Sequence, residues 1–467
     1  MPENPFLDPS FHVRWAELEP TLVDPAIDAA LAGAESALQS IESHPGAPTF
    51  ENTFLALDDA TETLNRAWGR VTHLQSVSDT PLLREAHNRA LPRVSAFFAR
   101  IPLRPALWEK LREFAQSGAA ASQPPVRARF IAETVAEFRE AGADLDAGRR
   151  ARLEAVQTEL AQLTQKYAEN VLDATNAWQL IVDDPGRLEG LPEHAKARAL
   201  SEGAAKGLGS PGRPSWRLTL HGPSQEPAMV YLKDESIRRE MWKAASLVGA
   251  AAPHDNTPLI PWILALRAER AAILGKGDFA DLVLGRRMAK SGARALEFTE
   301  DFQRRCAGAF VRECRELEES KSRDTGAPAG LLAPWEIAFR AERMRRAHYD
   351  FDEEELRPFL PMDRVVAGLF EISLRVFGTR VTERAPGEVE TWHPEVRFYD
   401  VHDSLGRHLG SFYADWHPRE SKRGGAWMNP LTTGGPRPDG SRKPHLGVIC
   451  GNLTPPAPGR QDLLSHR

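Results

Sequence analysis

Between Arg150 and Trp178 the chain contains neither glycine nor proline. Within that span Leu153, Val156, Leu160, Leu163 and Tyr167 recur at alternating steps of three and four, while Glu154, Gln157, Gln162 and Lys166 fall on other faces. This spacing predicts one unbroken helix, about 40 Å long, with a narrow apolar seam. A rod of that length leaves its seam in water unless other helices lie against it. The chain is therefore committed to a body built from helical layers.

The rest of the sequence agrees. Ile27, Leu31, Ala34 and Leu38 repeat at helical spacing up to His44-Pro45-Gly46. Thr49 to Asn65, Pro81 to Phe98, Ser236 to Ser246, Thr257 to Leu274, Ser291 to Arg323, Trp335 to His348 and Asp363 to Phe377 read as helices. Gly275 and Gly378 are stops. The helical pattern breaks at Asp183-Asp184-Pro185-Gly186, and WRLTL (Trp216 to Leu220) alternates as a strand. From about Glu395 the period switches to two. Val396 to Val401 and Leu409 to Trp416 predict a hairpin, and Leu446 to Cys450 a further strand. The expected architecture is mainly α, with a small β-sheet near the C-terminus. We divide it into residues 1–190, a helical wall, and residues 191–467, a second unit that ends in the sheet.

Composition narrows the function. Apolar residues make up 42% and charged residues 27%, which places the chain among folded proteins. A net charge of -6 leaves no basic stripe for a nucleic-acid partner. Cys306, Cys314 and Cys450 lack metal-knuckle or disulfide spacing and are expected to be buried thiols in a reducing compartment. No apolar run is long enough for a membrane span, and MPENPFLDPSFHVRW does not read as a secretory leader, so a cytoplasmic location is expected.

Catalytic motifs were tested against their mechanics. Gly207-Leu208-Gly209-Ser210-Pro211-Gly212 matches a dinucleotide fingerprint in letters only. A helix precedes it and a strand follows, the reverse of what phosphate binding needs. None of the 14 histidines is followed directly by glutamate, so the H-E-x-x-H pattern that places two ligands and a base on one helix is absent. His402, His408 and His417 sit on predicted strands and turns, where a surface or turn role is expected. The acidic run Asp352-Glu353-Glu354-Glu355 is expected to open a helix, where negative charge meets the positive end of the dipole.

Longer stretches carry a resemblance. Trp335-Glu336-Ile337-Ala338, Glu355-Leu356-Arg357-Pro358, Gly368-Leu369-Phe370-Glu371, Trp392-His393-Pro394-Glu395-Val396 and Lys422-Arg423-Gly424-Gly425-Ala426-Trp427-Met428 occur in this order. Cys450-Gly451-Asn452-Leu453 and Leu463-Leu464-Ser465-His466 follow them, and Pro48-Thr49-Phe50-Glu51-Asn52-Thr53 stands near the N-terminus. Together they resemble the oligopeptidase A branch of the thimet-oligopeptidase-like zinc peptidases over nearly the whole chain. The resemblance implies a helical, clam-shaped fold with a deep channel for short peptides. It implies zinc on an H-E-x-x-H helix with a downstream glutamate, and cytoplasmic hydrolysis of internal peptide bonds.

The same resemblance implies that the zinc helix would follow Leu463-Leu464-Ser465-His466, where this sequence stops. The catalytic domain is thus expected to be incomplete. No catalytic residue and no metal ligand is assigned, and no catalytic zinc and no hydrolysis are expected of these 467 residues alone. A separately encoded C-terminal fragment is a possible partner, and a non-catalytic peptide-binding or regulatory remnant is the alternative. One site is expected within the chain. Gly424, Gly425, Ala426 and Trp427 resemble a sheet edge on which an extended peptide pairs as an added strand, an ordinary glycine turn being the competing reading.

Overall fold

Some helix boundaries in this chain are set by short polar caps and closing glycines. The structure is a computed structural model that describes residues 4–210, 212–437, 440–455 and 463–464. Its N-terminal layer holds α1 (Val23–Glu42), α2 (Glu62–Val77), α3 (Pro81–Arg100), α4 (Pro105–Ala115), α5 (Pro125–Glu140) and α6 (Ala147–Ala177). Thr80 caps α3 through its side chain, ahead of Pro81, and the Asp146 carboxylate accepts from Arg149 N at the start of α6. The predicted long helix is therefore present. Leu153, Val156 and Leu160 are buried along it, whereas Tyr167 is partly exposed.

A two-stranded ribbon, β1 (Gln179–Val182) against β2 (Trp216–Thr219), flanks α7 (Glu193–Ala205). Then come α8 (Glu235–Ser246), α9 (Leu259–Ile273), α10 (Gly292–Thr325), α11 (Pro334–Tyr349) and α12 (Met362–Phe377). Gly326 and Gly378 close α10 and α12 in the left-handed conformation, each with φ of 69°. Among the described residues no helix is long and apolar enough to cross a membrane.

The period switch near Glu395 is realised as a sheet of β3 (Arg380–Glu383), β4 (Arg397–His402), β5 (His408–Asp415), β6 (Trp427–Thr432) and β7 (His445–Cys450). Their spatial order is β3-β4-β5-β7-β6, antiparallel except for the parallel β5–β7 pair. Residues 416–426 must therefore cross the end of β7 to carry the chain from β5 to β6. The sheet does not stand apart. Val396, Phe398, Tyr413, Leu446 and Val448 share one core with Trp15, Val71, Leu74 and Leu107 of the N-terminal region. A second core gathers Val182, Leu188, Leu218, Ile237 and Met241 around the β1–β2 ribbon. In a third, Val156 and Leu160 of α6 meet Ile263 and Leu266 of α9.

Several expectations are corrected. Thr49 to Asn65 is not one helix. Thr49 and Asn52 exchange side-chain hydrogen bonds, Leu55 N donates to Phe50 O across a wide turn, and the chain breaks at Thr61 before α2 begins. Strands β1 and β3 were not foreseen, because QLIV and RVTE lack the sustained polar–apolar alternation that WRLTL shows. The acidic run caps a 3-10 turn over Glu353–Phe359, with Asp352 accepting from Glu354 N, in place of an α-helix. Of the cysteines only Cys450 is buried. Cys306 is exposed and Cys314 half-exposed, because α10 turns most of its surface to water. Ser465 and His466 lie outside the described residues.

Candidate functional site

The crossing from β5 to β6 is built around one buried lysine. Lys422 is fully enclosed, and its ammonium donates to Asp415 O at 2.8 Å, Asp415 Oδ1 at 2.9 Å, His417 O at 2.8 Å and Gly451 O at 2.7 Å. Asp415 is equally enclosed and also takes a fork from Arg419 (2.9 and 2.6 Å) and the indole N–H of Trp392 at 2.9 Å. Burial opposes ionisation of Asp415, but the hydrogen bonds from Arg419 and Lys422 hold its carboxyl below the usual range. Burial likewise lowers the Lys422 ammonium and pushes the neighbouring Cys450 thiol up to about 12, so that it stays protonated and inert. A buried pair with every partner supplied is best understood as fixing register. Here it ties the end of β5 to the turn after β7.

The outer side of the crossing is fastened to the N-terminal layer. Asp79 N donates to Ser421 O at 2.9 Å, and Arg423 N to Ser76 O at 2.8 Å. Asn176 Nδ2 donates to Glu420 O at 2.9 Å, and the Glu420 carboxylate meets Lys206 at 2.8 Å and Arg217 at 3.3 Å. A polar cavity of about 370 Å³ lies behind Glu420, between α7 and β2. The acidic groups in its wall are engaged by its basic ones, so it joins the crossing to the ribbon.

The four predicted residues lie immediately downstream. Gly424, Gly425 and Ala426 are exposed and lead into Trp427, the first residue of β6. Gly425 has φ of 91°, where side chains other than glycine are strained, and its carbonyl accepts from Asn452 Nδ2. Among the described residues, chain neighbours apart, no atom lies within 4 Å of the position a Cβ would take at Gly424 or Gly425. One side of β6 pairs with β7, in the register Trp427 to Cys450 and Met428 to Ile449. Its other side forms the margin of the sheet, and Met428, Asn429 and Pro430 are exposed there. Proline within β6 is compatible with a marginal strand only. These residues form a glycine turn that leads into β6, which among the described residues is the last strand of the sheet and packs beside α2. The Lys422–Asp415 anchor escaped the sequence reading. Its partners are seven residues apart in the chain, and a further tie, Gly451, lies beyond both β6 and β7.

A metal centre was tested against the side chains present. Among the described residues no three or more of histidine, cysteine, aspartate and glutamate gather to hold an ion. His402 and His408 have ring centroids 5.2 Å apart, but His408 Nε2 is bonded to Ser411 Oγ at 2.9 Å. Asp400 beside them is engaged by Arg384 and Ser411. His417 Nδ1 lies 3.5 Å from Glu395. These residues do not fit a zinc site.

Comparison with known proteins gives the class to which this mainly helical body with a terminal sheet belongs. Residues 228–467 match the model of peptidase family M3, and residues 27–150 match the N-terminal domain of neurolysin and thimet oligopeptidase. The chain is 31% identical to oligopeptidase A of Salmonella typhimurium over 468 residues, which is 99% of this chain and 68% of that protein. It is 31% identical to oligopeptidase A of Escherichia coli over the same shares. It is 30% identical to an organellar oligopeptidase A of Arabidopsis thaliana, covering 99% of this chain and 59% of that one. The chain belongs to peptidase family M3, a family of metallopeptidases.

Proposed function

We propose that this chain is the peptide-holding part of a zinc-dependent, cytoplasmic oligopeptidase that degrades short peptides, and that β6 receives the substrate. The observation that supports it is the open margin at Gly424–Trp427, held rigid by Lys422 from within. An extended peptide that adds to a sheet edge is bound through its backbone. This suits an enzyme that must accept many sequences, and small residues at the entry let the second backbone approach. Cleavage requires zinc and the H-E-x-x-H set that this sequence lacks, so the 467 residues alone are expected to bind peptides without cutting them. Gly425→Pro forbids the positive φ of the turn and is expected to weaken binding of a fluorescent peptide by about tenfold or more with little loss of fold. Unchanged affinity would contradict the reading.

The division at residues 190/191 enters the proposal as the boundary between the channel wall and the front of the peptidase domain. A partner is proposed as well. Leu296, Phe298, Phe302 and Phe310 of α10 and Leu369, Ile372 and Val376 of α12 are exposed. Relatives that this chain covers to 68% possess further sequence of a size to pack on them. A polypeptide corresponding to the unmatched third of the Escherichia coli relative should bind this surface and confer zinc-dependent cleavage. The alternative, a non-catalytic peptide-binding remnant, gains support if that polypeptide neither binds nor confers activity while peptides still bind.

A further inference from the structure

Lys422 and Arg423 are adjacent but have opposite surroundings. Lys422 is enclosed and saturated by four acceptors. Arg423 is exposed, and its backbone is pinned by the bond from its N–H to Ser76 O. Its guanidinium lies 4.5 Å from the centroid of the Trp427 ring, within cation–π range. Trp427 in turn is held at the first pairing position of β6, opposite Cys450. Both the root and the head of Arg423 are therefore fixed at the entry to the free edge.

Among the described residues no carboxylate and no carbonyl accepts from the Arg423 guanidinium. That sets it apart from its neighbour Arg419, which is spent on Asp415 and on Val77 O. A stacked guanidinium still points its edge N–H groups outward, and that planar fork matches the two oxygens of a carboxylate. Because stacking on Trp427 has already restricted the side chain, less rotamer freedom is lost when an anion arrives.

We infer that Arg423 is a specificity-determining residue that favours peptides presenting a carboxylate at the entry to the β6 edge. The ligand class is an acidic peptide. The carboxylate has two sources, an Asp or Glu side chain or the peptide's own C-terminus. The inference rests on the reading of β6 as the peptide-pairing edge.

The test measures fluorescence anisotropy of the intact chain with labelled alanine-based peptides. One Glu is moved along the sequence, each member is matched by a Gln peptide, and each is made with a free or an amidated C-terminus. The expected result is a preference of about threefold to tenfold for one Glu position, or for the free C-terminus, at low ionic strength. In Arg423→Gln that preference is abolished while binding of neutral peptides persists. In Arg423→Lys it is partly restored, because the charge is kept but the fork is not. A preference tied to a Glu position assigns the side chain as the source, and one tied to the free C-terminus assigns the terminal carboxylate. Equal affinity for acidic and neutral peptides, or a preference that survives Arg423→Gln, would overturn the inference and leave the edge reading standing. Failure of every peptide to bind would overturn both.

Discussion

Helices α1 to α4 and helices α10 and α12 are amphipathic to a similar degree, yet they end in different surroundings. Along α1, seven residues from Val23 to Ile41 are buried, and α4 buries Leu107, Trp108, Leu111 and Phe114. The 34 residues of α10 bury only Ser320, and α12 buries only Met362. Val365, Leu369, Ile372 and Val376 recur on α12 at steps of four, three and four, as a core-facing stripe should, and all are exposed. Phe370 turns to the sheet, its ring 5.1 Å from that of Tyr399. The lesson is that periodicity determines which face of a helix is apolar, whereas the partner of that face belongs to tertiary structure.

The comparison can be broken by substitution. Leu111→Ala removes a fully buried side chain from the N-terminal core and should cost about 2–5 kcal/mol, measured by urea unfolding followed by tryptophan fluorescence. Acid sensitivity should come next. His73 is enclosed between Trp15 and Trp392, with no hydrogen-bond partner for either ring nitrogen among the described residues, and burial lowers its pKa from 6.5 to about 3. Asp415 favours its protonation and Lys422 opposes it, both weaker than burial. Between those two values the unfolded chain binds more protons than the folded one. Stability is therefore full above pH 6.5 and falls as pH drops toward 3. The lowered Asp415 acts in the same direction at the acid end, its contribution being lost as pH falls through its folded value. His73→Phe should flatten the part of the acid-unfolding curve that His73 governs. A curve of unchanged slope would mean that other groups control it. The smallest effect is expected on the open side. Ile372→Ala should change stability by less than about 0.5 kcal/mol, and a loss comparable to that of Leu111→Ala would show the α12 face to be buried in solution.

Much of this was legible in the residues. The seam from Leu153 to Leu160 marks α6 because a run free of glycine and proline leaves the apolar spacing undisturbed. Gly425 could be read as a turn because few residues other than glycine accept a positive φ. The place of β6 at the sheet margin was expected only through the family resemblance and not from the local pattern. It depends on β7 inserting between β5 and β6, and nothing local to Trp427–Thr432 records that order. The exposure of Cys306 escaped for the same reason that the open faces of α10 and α12 did. A helical pattern states which residues share a side, and only the packed fold states whether that side is covered.

The central claim is that the outer side of β6 pairs with peptide. Amide hydrogen exchange of the intact chain, with and without a saturating short peptide, tests it most directly. The account predicts slowed exchange centred on residues 425–429, with β4 and β5 unchanged. Protection elsewhere in the molecule, with those amides unaffected at saturation, would contradict it.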